Sequence, residues 1–292
     1  MTSTEHLHRR AMLTMVAAAF LWSIAGVFTR HLDSAKSFEV TFWRSLFCAL
    51  TMIAWFAYTQ GFGAITYVRA SGKAGLVSGL MWAVMFTCFM IALTMTSTAN
   101  VLIVNALSPL FATVLAWAVL KSAIVTRTWL AIGAAMVGMM IMFANQADAG
   151  AGAWLGMAVA FGVPVASAIN LVTLKKTHAH VDLAPAVLIG ALISCAVTLW
   201  LSLPFAATGK DVLLLAMLGV FQLGIPCVMM VRASAYLSAP EVALLGLLEV
   251  LMGPLWSWLG AGEVPPDTTL LGGAIVLVAL VVNEIVPQRR QV

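Results

Sequence analysis

The first residue in this sequence that could do chemistry is an acid set deep in an apolar run. Glu249 stands about nine residues inside Pro240–Gly260, roughly 13 Å from its edge at about 1.5 Å per helical residue. A carboxyl at that depth can hold an ammonium group or take up a proton. As a packing element it would instead be protonated or hydrogen-bonded to a neighbouring helix. Polar groups at similar depth join it. Asn105 and Ser108 share a helix face at i, i+3, and Gln222 precedes Gly224 and Pro226. Such amides and hydroxyls can bond a substrate or tie one helix to another. Trp22 and Trp82 sit mid-run, and Ser78, Met85 and Phe89 share the Trp82 face. Aromatic and methionine side chains make adaptable apolar walls, although core or lipid packing uses the same residues.

Four prolines fall inside apolar runs: Pro109, Pro164, Pro226 and Pro254. Each removes a backbone donor and frees the carbonyl one turn earlier. Within lipid that carbonyl must be satisfied again or face a cavity, so these positions are candidates for gating or for simple kinks. Two cations also enter the runs near their ends, Arg44 and Arg232, and both read as anchors snorkelling to the headgroups. Arg44 has a second reading, as an attractor of carboxylates near the outer mouth. Glu241, after Ser238 and Pro240, reads as a first-turn acid at a helix start.

Other chemistries are poorly represented. The five histidines (His6, His8, His31, His178 and His180) lie in tails or loops, and His178 and His180 have no third ligand beside them. There is no HExxH, no glycine-rich phosphate loop and no Ser/His/Asp group, so no metal, cofactor or catalytic site is expected and the chain is not read as an enzyme. The four cysteines (Cys48, Cys88, Cys195 and Cys227) all fall in apolar runs without CxxC spacing and read as free thiols.

The elements that would position these residues follow from composition. Of 292 residues, 62% are hydrophobic and 9% charged, against about a quarter charged in soluble domains. Such a chain needs lipid around it. The net charge of +4 is spread through the short gaps between apolar runs, which excludes a nucleic-acid face. A helix crosses the hydrocarbon core in about 20 apolar residues, and windows of that length give about ten spans. They run approximately over Ala11–Phe28, Glu39–Tyr58, Ala74–Met95, Ala99–Leu120, Thr128–Asn145, Gly152–Leu174, Ala184–Leu203, Val212–Tyr236, Pro240–Gly260 and Leu270–Ile285. The basic N-terminal stretch is read as part of a retained first span and not as a cleaved signal. Transmembrane β-strands would be half as long and would alternate.

With a cytoplasmic N-terminus the inner gaps hold most of the basic residues: Arg9, Arg10, Arg69, Lys73, Lys121, Arg127, Lys175, Lys176, Arg289 and Arg290. The outer gaps hold Arg30, Lys36 and Lys210, so both termini are assigned to the cytoplasm by the positive-inside bias. Sliding the chain by 141 residues matches spans 1–5 to spans 6–10, with Trp117 on Trp258 and Thr128 on Thr269. Five spans is an odd number, so the halves 1–146 and 147–292 would enter the membrane from opposite sides. Inverted repeats of this kind are frequent in secondary transporters.

The stretches ALTMTSTANVLIVNALSPLFATVLAWAVLK and RASAYLSAPEVALLGLLEVLMGPLWSWLGAGEVP then acquire a context. With the ten spans and the repeat, they resemble the drug/metabolite transporter superfamily, EamA type. Its repeats commonly open their fourth helix with Ala-Leu, carry Glu-Pro or Ser-Pro midway and close on Gly-Glu. Ser108–Pro109, Glu249 and Gly262–Glu263 fit, while Val250 stands for the proline and Lys121 for the first closing acid. The resemblance implies a cavity among helices 1, 3, 4, 6, 8 and 9, and cargoes such as amino acids, aromatic or apolar ones included.

The resulting expectation is an all-α integral membrane protein of the cell membrane, monomer or homodimer, whose partners are a small-molecule substrate and the bilayer. It would export small organic metabolites by alternating access through a central cavity. Trp22, Trp82, Met85, Asn105, Gln222 and Glu249 would line the site, and Pro109, Pro164, Pro226 and Pro254 would serve gating. The alternatives are an intramembrane enzyme, which would need reactive groups converging on Glu249, and a channel-like facilitator, which would need rings of charge or carbonyls.

Overall fold

The computed structural model describes residues 3–121, 126–144, 151–176, 183–234, 236–237 and 239–285, and these are helical or connecting, without a strand among them. The order is α1 (Ser3–Ser23), α2 (Ala25–Arg30), α3 (Ser37–Gln60), α4 (Ala64–Ala70), α5 (Gly72–Met95), α6 (Thr98–Ala106), α7 (Ser108–Leu120) and α8 (Thr126–Ala144). It continues with α9 (Ala151–Ala160), α10 (Gly162–Lys176), α11 (Leu183–Ser202), α12 (Gly209–Met217), α13 (Ile225–Ser234), α14 (Ala239–Gly246), α15 (Leu248–Ala261) and α16 (Asp267–Ile285). A π-helical turn, Leu218–Gly224, joins α12 to α13.

Seven helical stretches are long and apolar enough to cross a membrane: 6–30, 37–60, 72–95, 98–119, 152–173, 184–202 and 209–230. Two shorter apolar helices, 126–142 and 267–283, add to them. Large apolar side chains face outward, Leu130 70% and Leu259 69% exposed among them, which suits lipid and not water. The chain is a multi-pass membrane protein. In that solvent the backbone must bond to itself, and helices do so within one segment.

The helices are not all straight. The stretches expected as spans 4, 6 and 9 are split near their middles, at Leu107, Phe161 and Leu247, and span 1 is split nearer its end, at Ile24. Span 8 carries the π turn instead. Pro109 and Pro164 sit just past two of these splits, and Pro226 just past the π turn, whereas Pro254 lies inside an unbroken α15. Pro226 has no N–H for the Gln222 carbonyl four residues back, and the ladder widens there. The freed carbonyl before Pro109 belongs to Asn105 and accepts instead from the Ser108 hydroxyl at 2.6 Å. The gap between spans 2 and 3, expected as a loop, holds a short 3₁₀ turn and α4.

Small residues set the closest contacts, as they do between membrane helices. Packing is dense between α5 and α11, α3 and α11, and α8 and α16; α10 packs on α5 and α7, and α15 on α1, α2 and α6. At the α8–α16 crossing a Cβ on Gly138 or on Gly272 would run into the carbonyl oxygen of the other. The π turn approaches α3 just as closely. A Cβ on Gly219 would come within 2.6 Å of the Arg44 carbonyl oxygen, and one on Gly224 within 2.9 Å of Thr51.

Candidate functional site

The glycine-permitted contact of the π turn with α3 brings Gln222 to Arg44. Both side chains are about 2% exposed. Arg44 donates from Nε at 2.9 Å and from Nη2 at 2.7 Å to the same oxygen, Gln222 Oε1. Gln222 Nε2 in turn donates to the Trp22 carbonyl at 3.1 Å, one residue short of the Ser23–Ala25 interruption of the first helix. The Arg44 guanidinium lies 5.9 and 5.8 Å from the ring centres of Phe86 and Phe89 on α5. Trp82 packs on Phe86 with ring centres 5.4 Å apart. Trp22 and Trp82 both border the buried cluster that includes Cys48, Met52, Phe86 and Cys227.

Arg44 is therefore no headgroup anchor, contrary to the reading from its place near the span's end. Glu39, one turn before it and fully buried, accepts hydrogen bonds from the backbone of Ala206 and Ala207 at 2.8–3.1 Å. Asp211 accepts in the same way from the backbone of Asp33 and Ser34. The connecting segments fold across this end of the bundle and take Arg44 out of reach of its surface. Arg232, by contrast, is exposed and lies 4.2 Å from the Trp55 ring centre.

A second pairing joins Asn105 and Glu249. Asn105 is next to last in α6 and Glu249 second in α15, so each borders a helix split. Asn105 Nδ2 donates to Glu249 Oε1 at 2.9 Å, and both residues are partly exposed. Split helices leave end carbonyls and amides without partners in the ladder, which makes such points polar within an apolar span. Met85 is partly buried on α5 and belongs to neither pairing. A cleft of about 520 Å³ between α8 and α16, lined by Leu130, Ala134, Leu271, Ile275 and Val278, touches none of the candidate residues.

A third group was not anticipated. Arg30, closing α2, forms an ion pair with Glu263 beyond α15, with Nε to Oε2 at 2.9 Å. It also donates to the carbonyls of Leu93 and Thr96 at 2.9 and 2.6 Å. Glu263 accepts from the Thr98 backbone at 2.7 Å and its hydroxyl at 2.9 Å, and Ser257 donates to the same hydroxyl at 3.0 Å. This latch ties together the ends of α2, α5, α6 and α15. Burial alone would raise the Glu263 carboxyl, but the hydrogen bonds and charge of Arg30 and the bonds from Thr98 outweigh it. They hold the group below its ordinary 4.5. The legible signal was the closing Gly262–Glu263; nothing in the spacing pointed to Arg30 as its partner.

At the other end of α1, His8 Nε2 lies 3.1 Å from Oε1 of Glu241, in the first turn of α14. Ser238, expected to start that helix, lies outside the described residues, as do His178 and His180.

Comparison with known proteins gives the family and the fold. The profile of the EamA-like transporter family matches residues 9–144 and 154–284. The pseudopaline exporter CntI of Pseudomonas aeruginosa strain UCBPP-PA14 is 24% identical over 94% of this chain and 96% of its own. The exporter of the same name from strain PAO1 matches to the same extent. A solved crystal structure superposes with a TM-score of 0.65 at 17% identity, over 94% of this chain and 96% of that one, and so shares the fold.

Proposed function

Since the chain belongs to the EamA-like transporter family, we propose that it is a secondary transporter of the cell membrane that exports small organic metabolites by alternating access. Two five-helix halves, 1–146 and 147–292, would enclose the site in inverted orientation, with both termini in the cytoplasm. The observation that carries this reading is the Asn105–Glu249 hydrogen bond, which links mid-span helix splits in opposite halves. Polar groups at interrupted helices on a repeat interface are where carriers hold their cargo.

Other features support the repeat. The family profile matches one stretch on each side of the proposed boundary. Under the 141-residue shift the split spans 1 and 4 answer to the split spans 6 and 9, and the unbroken 2 and 5 to the unbroken 7 and 10. Outward direction is supported by the name of the relatives as exporters. Amino acids are the narrower cargo class that the sequence resemblance suggests, with Trp22, Trp82, Met85, Asn105, Gln222 and Glu249 as walls.

Flux from proteoliposomes tests the site. Glu249→Gln and Trp82→Ala should each slow export of a cargo that the unaltered chain moves, and normal export by both would remove them from the site. Topology has its own test. Asp148→Cys, in a chain whose four native cysteines are replaced, should react with a membrane-impermeant thiol reagent from outside intact cells. Reaction from the cytoplasmic side alone would overturn the inverted repeat.

A further inference from the structure

We propose, resting on the transport reading, that Arg44 is the anchor for a carboxylate on the cargo, so that the chain exports small organic acids, amino acids included, and not neutral or purely cationic metabolites.

The argument is one of unmet valence. A guanidinium presents five N–H donors and carries its charge at any relevant pH. Buried in an apolar span, such a charge is costly unless paired. Among the described residues no carboxylate comes within ion-pair distance of Arg44; the ion pairs found are His8–Glu241, Arg30–Glu263 and Lys210–Asp33. Its hydrogen-bonded partner is one neutral amide oxygen, on Gln222. Nη1 is buried and has no partner at all. The faces of Phe86 and Phe89 offset part of the charge, but rings cannot satisfy the Nη1 hydrogens.

The surroundings point the same way. Ser78 Oγ and Trp82 Nε1, on the α5 face that continues through Phe86 and Phe89, are also buried without partners. Orphaned donors on the same helix whose Phe86 and Phe89 rings face the cation suit a ligand that brings acceptors and one negative charge. Arg and carboxylate match as two forks; Gln222 Oε1 now takes both N–H groups of the Nε/Nη2 edge, and Nη1 is left open to an incoming oxygen. A single guanidinium fits a carboxylate better than a phosphate dianion, which would remain half-compensated among aromatic walls. Access requires the π turn to move off α3, and a π turn gives up regular hydrogen-bond geometry at the point where it must yield.

The test compares cells producing the unaltered chain, R44K, R44Q and Q222E, with metabolites in the spent medium read by mass spectrometry. Membrane content and melting temperature are measured for each variant. Metabolites whose release depends on the chain should carry a carboxylate. R44Q should lower their release roughly tenfold or more, the scale of a lost buried charge pair, and R44K should retain part because it keeps the charge without the fork. Q222E supplies a permanent internal carboxylate, so it should fold at least as stably and export as poorly as R44Q. A chain-dependent set rich in sugar phosphates, polyamines or nucleosides would overturn the inference while leaving transport intact. So would normal export by folded R44Q or by Q222E. If nothing moves even with the unaltered chain, the transport reading falls and takes this inference with it.

Discussion

Arg30 and Arg44 close the first and enter the second membrane helix, and the fold houses them in opposite ways. Arg30 faces a carboxylate and two backbone carbonyls, and Glu263 opposite it has Thr98 as a further donor. Arg44 is more deeply buried, yet it has one neutral amide, two ring faces and an idle Nη1. Burial alone does not separate a structural charge from a functional one; the completeness of its partners does. A satisfied cation holds helices together, and an unsatisfied one is held ready for something else.

Removing each cation in turn puts that contrast at risk most severely. Arg30→Gln strands a largely buried Glu263 and should lower stability by about 2–3 kcal/mol. Arg44→Gln removes a charge that nothing neutralises, and it should change stability by less than about 1 kcal/mol. Thermal melting of both variants in detergent checks this, and equal losses would make Arg44 another strut. Next in size is Asn105→Ala, which leaves the Glu249 carboxyl without its hydrogen bond and should cost about 1–2 kcal/mol. Glu249→Gln should recover most of that loss in the double variant. Thr98→Val removes one donor from an otherwise complete latch and should cost about 1 kcal/mol or less.

The smallest effect near neutrality is that of acidity on the latch. The Glu263 carboxyl is held below 4.5 in the folded chain, so the folded state favours its charged form. Its contribution is complete above that pH and is lost as pH falls through the lower folded value. The melting difference between the unaltered chain and Glu263→Gln should therefore be flat from about pH 6 to 8 and shrink in acid. A difference that grows in acid would mean the carboxyl is neutral in the latch.

Apolar run length made most of the helices legible, and proline placed three of the interruptions. The splits at Ile24 and Leu247 have no proline just after them and left no such mark. Glu249, Asn105 and Gln222 stood out as polar residues at depth, but their partners come from other helices, and no periodicity within one span encodes which span lies beside it. Arg44 was misplaced for a related reason. Counting residues from the end of a span assumes that the end is open, and here Glu39 draws the 203–208 segment across it. Glu263 stood out through the closing Gly262–Glu263, but Arg30 reads as an ordinary loop charge because their attraction acts between gaps far apart in the chain.

The touching backbones of Gly138 and Gly272 have a mechanical corollary. Two helices meshed at that spacing cannot slip lengthwise without one peptide group riding over another, so α8 and α16 travel as one rigid beam. A leucine at either glycine would meet the facing carbonyl oxygen and wedge the two helices apart.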